Sequence, residues 1–137
     1  MNKVTPIDEE FVYAGKAIIS QTDLSGTITY VNSAFCEASG YKREQVIGLK
    51  YDIIRHPDMP KAIFEKLWNA INDGQAWSGL IKNLRSDGKY YWDDLSVLPI
   101  KNNDGDIVSF ISVARQASQK NIQENETLYQ KMLNSEV

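Results

Sequence analysis

The chain has 137 residues and a mass of 15.5 kDa, enough for one ordinary domain with its own core. Hydrophobic residues at 42% and charged residues at 24% exclude a disordered chain, and a net charge of −3 with no basic cluster excludes an electrostatic nucleic-acid surface. A single cysteine excludes a disulfide framework, and no apolar run approaches the ~20 residues of a membrane span, so a soluble, cytoplasmic domain with no membrane contact of its own is expected.

Residues 1–16 lack clear periodicity and are expected to be a cap over a neighbouring surface or a mobile segment. The runs Ala17 to Thr22 and Thr27 to Val31 are β-rich and flank Asp23-Leu24-Ser25-Gly26, which predicts a hairpin with Gly26 at the positive-φ position. Asn32 or Ser33 can cap a short helix that carries Phe35 and Cys36 and stops at Gly40. A second short piece runs from Lys42 to Ile47 and stops at Gly48. Pro60 suits a first helical turn, after which Ile63, Phe64, Leu67, Trp68 and Ile71 recur at helical spacing until Gly74. Ala76 to Arg85, Lys89 to Ile100 and Ile107 to Arg115 predict three further strands, separated by Ser86-Asp87-Gly88 and by Asn102 to Asp106. From Gln116 onward, Ile122, Tyr129, Met132 and Leu133 mark one side of an exit helix.

Two strands, a helical crossover and three strands predict an α+β fold: one five-stranded antiparallel sheet, with short helices covering its inner face. A crossover of short broken helices leaves space against the sheet for a ligand. The expected organisation is a 1–16 N-terminal segment, a 17–116 domain and a 117–137 linker or signalling helix.

Several segments together resemble the PAS fold: Gly-Thr-Ile-Thr-Tyr-Val-Asn-Ser-Ala-Phe at 26–35, Ser-Gly-Tyr at 39–41, and Glu44 with Ile47-Gly48. A narrower set, Arg55-His56-Pro57-Asp58-Met59-Pro60, Trp77-Ser78-Gly79, Lys82-Asn83 and Tyr91-Trp92, is similar in order and spacing to the PAS sensor domains of bacterial aerotaxis receptors. The likeness runs from about Thr22 to Ala117. It implies a domain that binds FAD and reports redox, oxygen or energy state to a chemotaxis-type output module, in a parent chain that is free to be membrane-anchored.

The resemblance makes Arg55, His56 and Asp58 candidates for FAD binding. Arg55 offers a planar donor fork suited to a diphosphate or a flavin carbonyl. Asp58 has alternative jobs, bracing Arg55 or His56 or capping the helix near Pro60. The bland reading of the whole stretch is a structural turn. A second functional reading makes His56, the sole histidine, the axial ligand of a haem b that senses oxygen or another diatomic gas. Trp77 and Asn83 are six residues apart on one predicted strand and so share a face with Gly79 and Ile81. On that face an indole can stack on a ring and an amide can meet a mixed donor–acceptor edge, although a core-filling role for Trp77 is the ordinary alternative. Asn32 either caps its helix or reaches the ligand. Tyr90, Tyr91 and Trp92 must divide between the two faces of their strand.

Cys36 lies in the first helix, away from the stretch Asp52 to His56 where a photoadduct cysteine would be expected, so a covalent photoreceptor is disfavoured. No nucleophile with a base, phosphate loop or metal-spaced cluster points to an enzyme. The exit helix has two alternative uses: packing on its own sheet, or binding a second copy or a downstream signalling domain. A PAS module without cofactor, used for dimerisation or docking, is the third reading.

Overall fold

The computed structural model describes residues 4–13 and 15–136, so residues 1–3 and 14 of the expected N-terminal segment and the last residue of the tail lie outside the described residues. β-branched runs interrupted by Gly-containing turns form β1 (Ile18–Thr22), β2 (Ile28–Val31), β3 (Trp77–Leu84), β4 (Tyr90–Lys101) and β5 (Ile107–Gln116). Between β2 and β3 come α1 (Ser33–Ser39), α2 (Arg43–Val46), a 3₁₀ turn (Tyr51–Ile54) and α3 (Lys61–Asn72); α4 (Gln119–Ser135) follows β5. The strands form one antiparallel sheet in the order β2-β1-β5-β4-β3, which is the expected α+β arrangement. Asn32 caps α1 by accepting the Phe35 amide at 3.0 Å, and Gly40 closes the helix at φ 77°. Pro60 sits one position earlier than expected, at the N-cap of α3.

The register fixes which side chains share the inner face. Ile81 stands opposite Asp93, Asn83 opposite Tyr91, Val97 opposite Ser112, and Ser20 opposite that same Ser112. Because alternate residues face the same way, Asn83, Asp93, Ser112, Ser20 and Thr22 form a polar seam among Ile81, Leu95, Val97 and Phe110.

The crossover is tied to both edges of this sheet. At the β2 edge, Ile28 N–H donates to Leu49 O (2.8 Å), Gly48 N–H to Ile28 O (2.9 Å) and Tyr51 N–H to Gly26 O (3.1 Å). At the β3 edge Arg55 forms an antiparallel bridge with Asn83, and Lys82 N–H points at Met59 Sδ (3.3 Å). Residues 48–59 therefore strap over the inner face and also cover two exposed sheet edges. Gly26 is required twice over: its φ is +84°, and a Cβ there would meet the Trp68 ring at 3.0 Å.

The N-terminal segment is docked. Where β5 no longer accompanies β4, the segment runs parallel to β4 and takes its bonds: Tyr90 N–H donates to Glu9 O (3.0 Å), Phe11 N–H to Tyr90 O (2.7 Å) and Ile7 N–H to Gly88 O (2.9 Å). Arg85 stacks its guanidinium 3.7 Å from the Phe11 ring centroid while donating to Glu37 O and Ala38 O at the end of α1.

The exit helix packs on its own sheet, on the outer face of β3 and β4, so its apolar side is in use there. Ile122 and Tyr129 are buried, the Tyr129 ring stacks on Trp92 with centroids 6.3 Å apart, and its hydroxyl donates to Leu80 O at 2.7 Å. At the far end Glu136 accepts the Lys61 and Ala62 amides at 3.2 Å each, capping α3, whose own N-cap Pro60 supplies no side-chain cap. No described helix is long and apolar enough to cross a membrane. Tyr129→Phe leaves the ring stack in place but removes the donor to Leu80 O; denaturant unfolding should show a loss of about 1 kcal/mol.

Candidate functional site

Between the strap, α3 and the inner face of the sheet lies a cavity of about 450 Å³, within the size range of small-molecule sites. α3 supplies Phe64, Leu67, Trp68 and Ile71, the recurrent apolar positions read from the sequence. The sheet supplies Ile81, Leu95, Val97 and Phe110, and the Trp68 and Phe110 rings meet edge-on at 5.9 Å. Polar groups converge from different elements: Asn83 of β3, Asp93 of β4, Ser112 of β5, Thr22 of β1 and Tyr51 of the 3₁₀ turn. Lys50, whose ammonium donates to Ser25 O at 2.7 Å, and Arg55, whose guanidinium lies 4.0 Å from the Phe64 ring centroid, are the cationic residues of the lining.

Of the six site residues expected from sequence, Arg55 and Asn83 line this cavity together and are bridged through their backbones. The other four are not among its lining residues. His56 is buried, but its ring lies edge-on to Tyr90 at 6.4 Å, and Tyr90 belongs to the outer face. Its Nδ1 accepts the Asp58 amide at 3.0 Å. Burial, and then the nearby Lys82 ammonium, push its pKa down to about 4. The haem reading thus loses its expected axial ligand, because the histidine does not face the cavity. Asp58 pairs with Lys82 Nζ at 2.9 Å, bracing the strap against β3, and its pKa is lowered by that partner against the opposing effect of burial. Trp77 has the expected parity, but its ring folds over Gly79, where a Cβ would come within 2.6 Å of it. Asn32 spends its side chain on the Phe35 amide, the Ile19 amide and Ala17 O.

Asp93, Tyr13, Tyr51 and Ser112 join the site without being singled out by sequence pattern. Asp93 is 4% exposed. Its Oδ1 accepts the Tyr13 hydroxyl at 2.7 Å and its Oδ2 accepts Asn83 Nδ2 at 2.8 Å, while Asn83 Oδ1 accepts nothing among the described residues. Burial raises the Asp93 pKa to about 7, against the lowering effect of those two donors, and Asp94 adds to the rise. The sequence did carry a signal: Asp-Asp inside an aromatic and β-branched strand is unusual, and parity places Asp93 on the face of Tyr91 and Leu95. Tyr13 had no such signal, because its segment is irregular. Ser20 Oγ and the Tyr51 hydroxyl, 3.0 Å apart, extend the polar seam. Cys36 is not among the cavity-lining residues, and no cluster of metal-binding side chains occurs among the described residues.

The PAS-fold family profile matches residues 28–114. The chain belongs to the PAS family. It is 37% identical to the aerotaxis receptor of Escherichia coli (strain K12), over 86% of this chain and 23% of that protein. It is 28% identical to the nitrogen fixation regulatory protein of Klebsiella pneumoniae, over 85% of this chain and 25% of that protein. This PAS domain therefore spans about a quarter of the length of these curated relatives. Among solved structures, the light-state LOV domain of the blue-light photoreceptor Aureochrome1 matches with a TM-score of 0.71 at 25% identity, over 85% of this chain and 91% of that one. The LOV domain from the Erythrobacter litoralis EL346 blue-light activated histidine kinase matches with a TM-score of 0.68 at 26% identity, over 74% and 96%.

Two shifted groups oppose one another in their pH dependence. Asp93, raised in the fold, contributes stability that is complete below its unfolded value near pH 4 and is lost as pH rises to about 7. His56, lowered in the fold, contributes stability that is complete above its unfolded value and is lost as pH falls toward about 4. Asp93→Asn removes the first effect and exposes the second. Urea midpoints should make the variant more stable than wild type near neutral pH and above, and should fall more steeply on acidification to about pH 5.

Proposed function

We propose that this PAS domain is the FAD-binding input domain of a cytoplasmic redox or energy sensor coupled to a chemotaxis-type output. The observation that carries the proposal is the cavity wall: an apolar and aromatic slot whose polar groups gather on the inner face of the sheet at Asn83 and Asp93. The isoalloxazine of a flavin is a flat ring with a pyrimidine edge of alternating carbonyls and N–H groups. Asn83, whose carbonyl oxygen accepts nothing among the described residues and whose amide is a donor, and Asp93 match such an edge. Trp68, Phe110 and the aliphatic wall match its faces. Arg55 is the donor fork suited to a carbonyl or the diphosphate, while His56 and Asp58 hold the turn that presents it. Trp77 and Asn32 serve the frame. The likeness to the aerotaxis receptor supports this assignment, and the absence of Cys36 from the lining argues against photoadduct chemistry despite the LOV-like fold.

FAD would supply reversible electron transfer; the chain's part is to bind and orient the ring, exclude water and hold protons at Asp93. Signal then requires that one redox state favour a different conformation of the strap, the sheet or the docked α4. The expected as-purified spectrum is two-banded flavin absorption that bleaches on anaerobic reduction, with FAD released on heating. A sharp Soret band, or a colourless protein that takes up no added FAD, overturns the proposal. Arg55→Ala and Asn83→Ala should each weaken FAD retention on the order of tenfold, the size of one lost hydrogen bond to a polar or charged group, while Trp77→Ala should act through stability.

A further inference from the structure

The N-terminal segment reaches the cavity through one hydroxyl. We propose that Asp93 and Tyr13 form a proton-controlled latch, by which the charge state of the cavity decides whether residues 4–13 stay docked on the sheet. The latch works in the same way whichever ligand the cavity takes.

The geometry is direct. Tyr13 is 8% exposed, packs edge-on to Tyr91 at 6.1 Å and donates to Asp93 Oδ1, closing the N-terminal side of a carboxyl whose other oxygen is held by Asn83. The Tyr13 amide also donates to Gln116 Oε1 at 3.3 Å; beyond Tyr13, the described part of the segment is held by three backbone bonds to Gly88 and Tyr90, by Phe11, which packs against the core and under the Arg85 guanidinium, and by the surface pair of Lys89 with Glu9 at 2.8 Å. Its other side chains include an exposed Ile7 and Val12, and a buried Glu10 oxygen with no hydrogen-bond partner among the described residues. A segment attached this lightly sits at the low-stability end of a fold.

The groups around Asp93 give its ionisation no compensating charge. Tyr13 faces it from the segment, Tyr51 from the 3₁₀ turn and Tyr91 from its own strand, with Asp94 next in sequence. Across the strand pairing β5 presents neutral Gln116, and α3 presents only apolar and aromatic side chains to the cavity. Asp52 also borders the cavity, and Lys50 and Arg55 border it without making an ion pair to Asp93. Two donor hydrogen bonds therefore stand alone against the cost of burying the anion. In a state in which the segment lifts, water takes the place of the Tyr13 donor and rehydrates the carboxylate, and because burial outweighs that donor in the docked state, ionised Asp93 favours release and protonated Asp93 favours docking. Protonation also rearranges the bonding: both oxygens already accept, so the added O–H needs Tyr13 to turn from donor to acceptor, or Asn83 to present its carbonyl oxygen. An occupant that acquires negative charge beside Asp93 raises its proton affinity and tightens the latch. An occupant that places a cation or a strong donor there loosens it.

Amide exchange at Ile7 and Phe11, whose N–H groups make the docking bonds to Gly88 O and Tyr90 O, reads the latch directly. In the ligand-free chain, after correction for the intrinsic pH dependence of exchange, protection of these amides should fall roughly tenfold or more between about pH 5.5 and pH 8.5. Asp93→Asn, which keeps the shape and can still accept from Tyr13, should hold the protection high and flat. Tyr13→Phe removes a donor that favours the anion, so its transition should move to higher pH. Protection that does not vary with pH in the wild-type chain overturns the latch. The same loss in Asp93→Asn also overturns it, by assigning the loss to Asp8, Glu9 or Glu10 of the segment itself. An unshifted transition in Tyr13→Phe removes the hydroxyl from the device.

Discussion

The pinning of residues 48–59 to both edges of the sheet is the constraint on which the site depends. One end is held by backbone bonds between residues 48–51 and Gly26 and Ile28 at the start of β2, and the other by the Arg55–Asn83 bridge with Met59 and Asp58 behind it. With its ends fixed on opposite edge strands, the strap spans the inner face rather than collapsing into it, and α3 leans in from the side. The enclosed space is thus a product of backbone pairing. The same bonds protect two strand edges that would otherwise be free to pair with other chains.

Against that frame the polar seam is the expensive part. Ser20, Asn83, Asp93 and Ser112 are buried on a face that could have been wholly aliphatic, and each needs a partner to be tolerated there. Asn83 donates to Asp93 within the sheet, and two of the others are met from outside it: Tyr51 from the strap reaches Ser20, and Tyr13 from the N-terminal segment reaches Asp93. The cavity is consequently wired to two peripheral elements by hydroxyl groups, and the outer face is wired to the exit helix by a third, that of Tyr129.

The fold was legible because its signals are local: the Gly26, Gly40, Gly74, Gly88 and Gly105 turns punctuate runs of clear period, and each of these glycines has positive φ. The site was half legible. Strand parity put Asn83 and Ile81 on the cavity side, and the motif likeness brought in Arg55. It also brought in His56 and Asp58, whose sequence neighbourhood with Arg55 does not survive the turn: successive residues point to different sides of the strap. Trp77 obeyed parity, yet Gly79 beside it let the indole lie down across its own strand, a side-chain direction that no periodicity encodes. Tyr13 was invisible because its partner lies 80 positions away, and long-range hydrogen bonds leave no mark on local pattern.

The carboxylate of Glu136 gives the exit helix a second attachment, at the first turn of the helix that walls the cavity. A path between the end of α4 and the cavity therefore need not run through the sheet. Whatever bends, rotates or pulls the end of α4 also uncaps α3, and with it loosens Phe64, Leu67 and Trp68. Thermodynamic linkage makes the traffic two-way by equal amounts: any factor by which a ligand shifts the docking of α4 is the factor by which the load on α4 shifts the ligand's affinity. Where a cavity wall and the end of a distant helix share one cap in this way, no separate lever is needed between them.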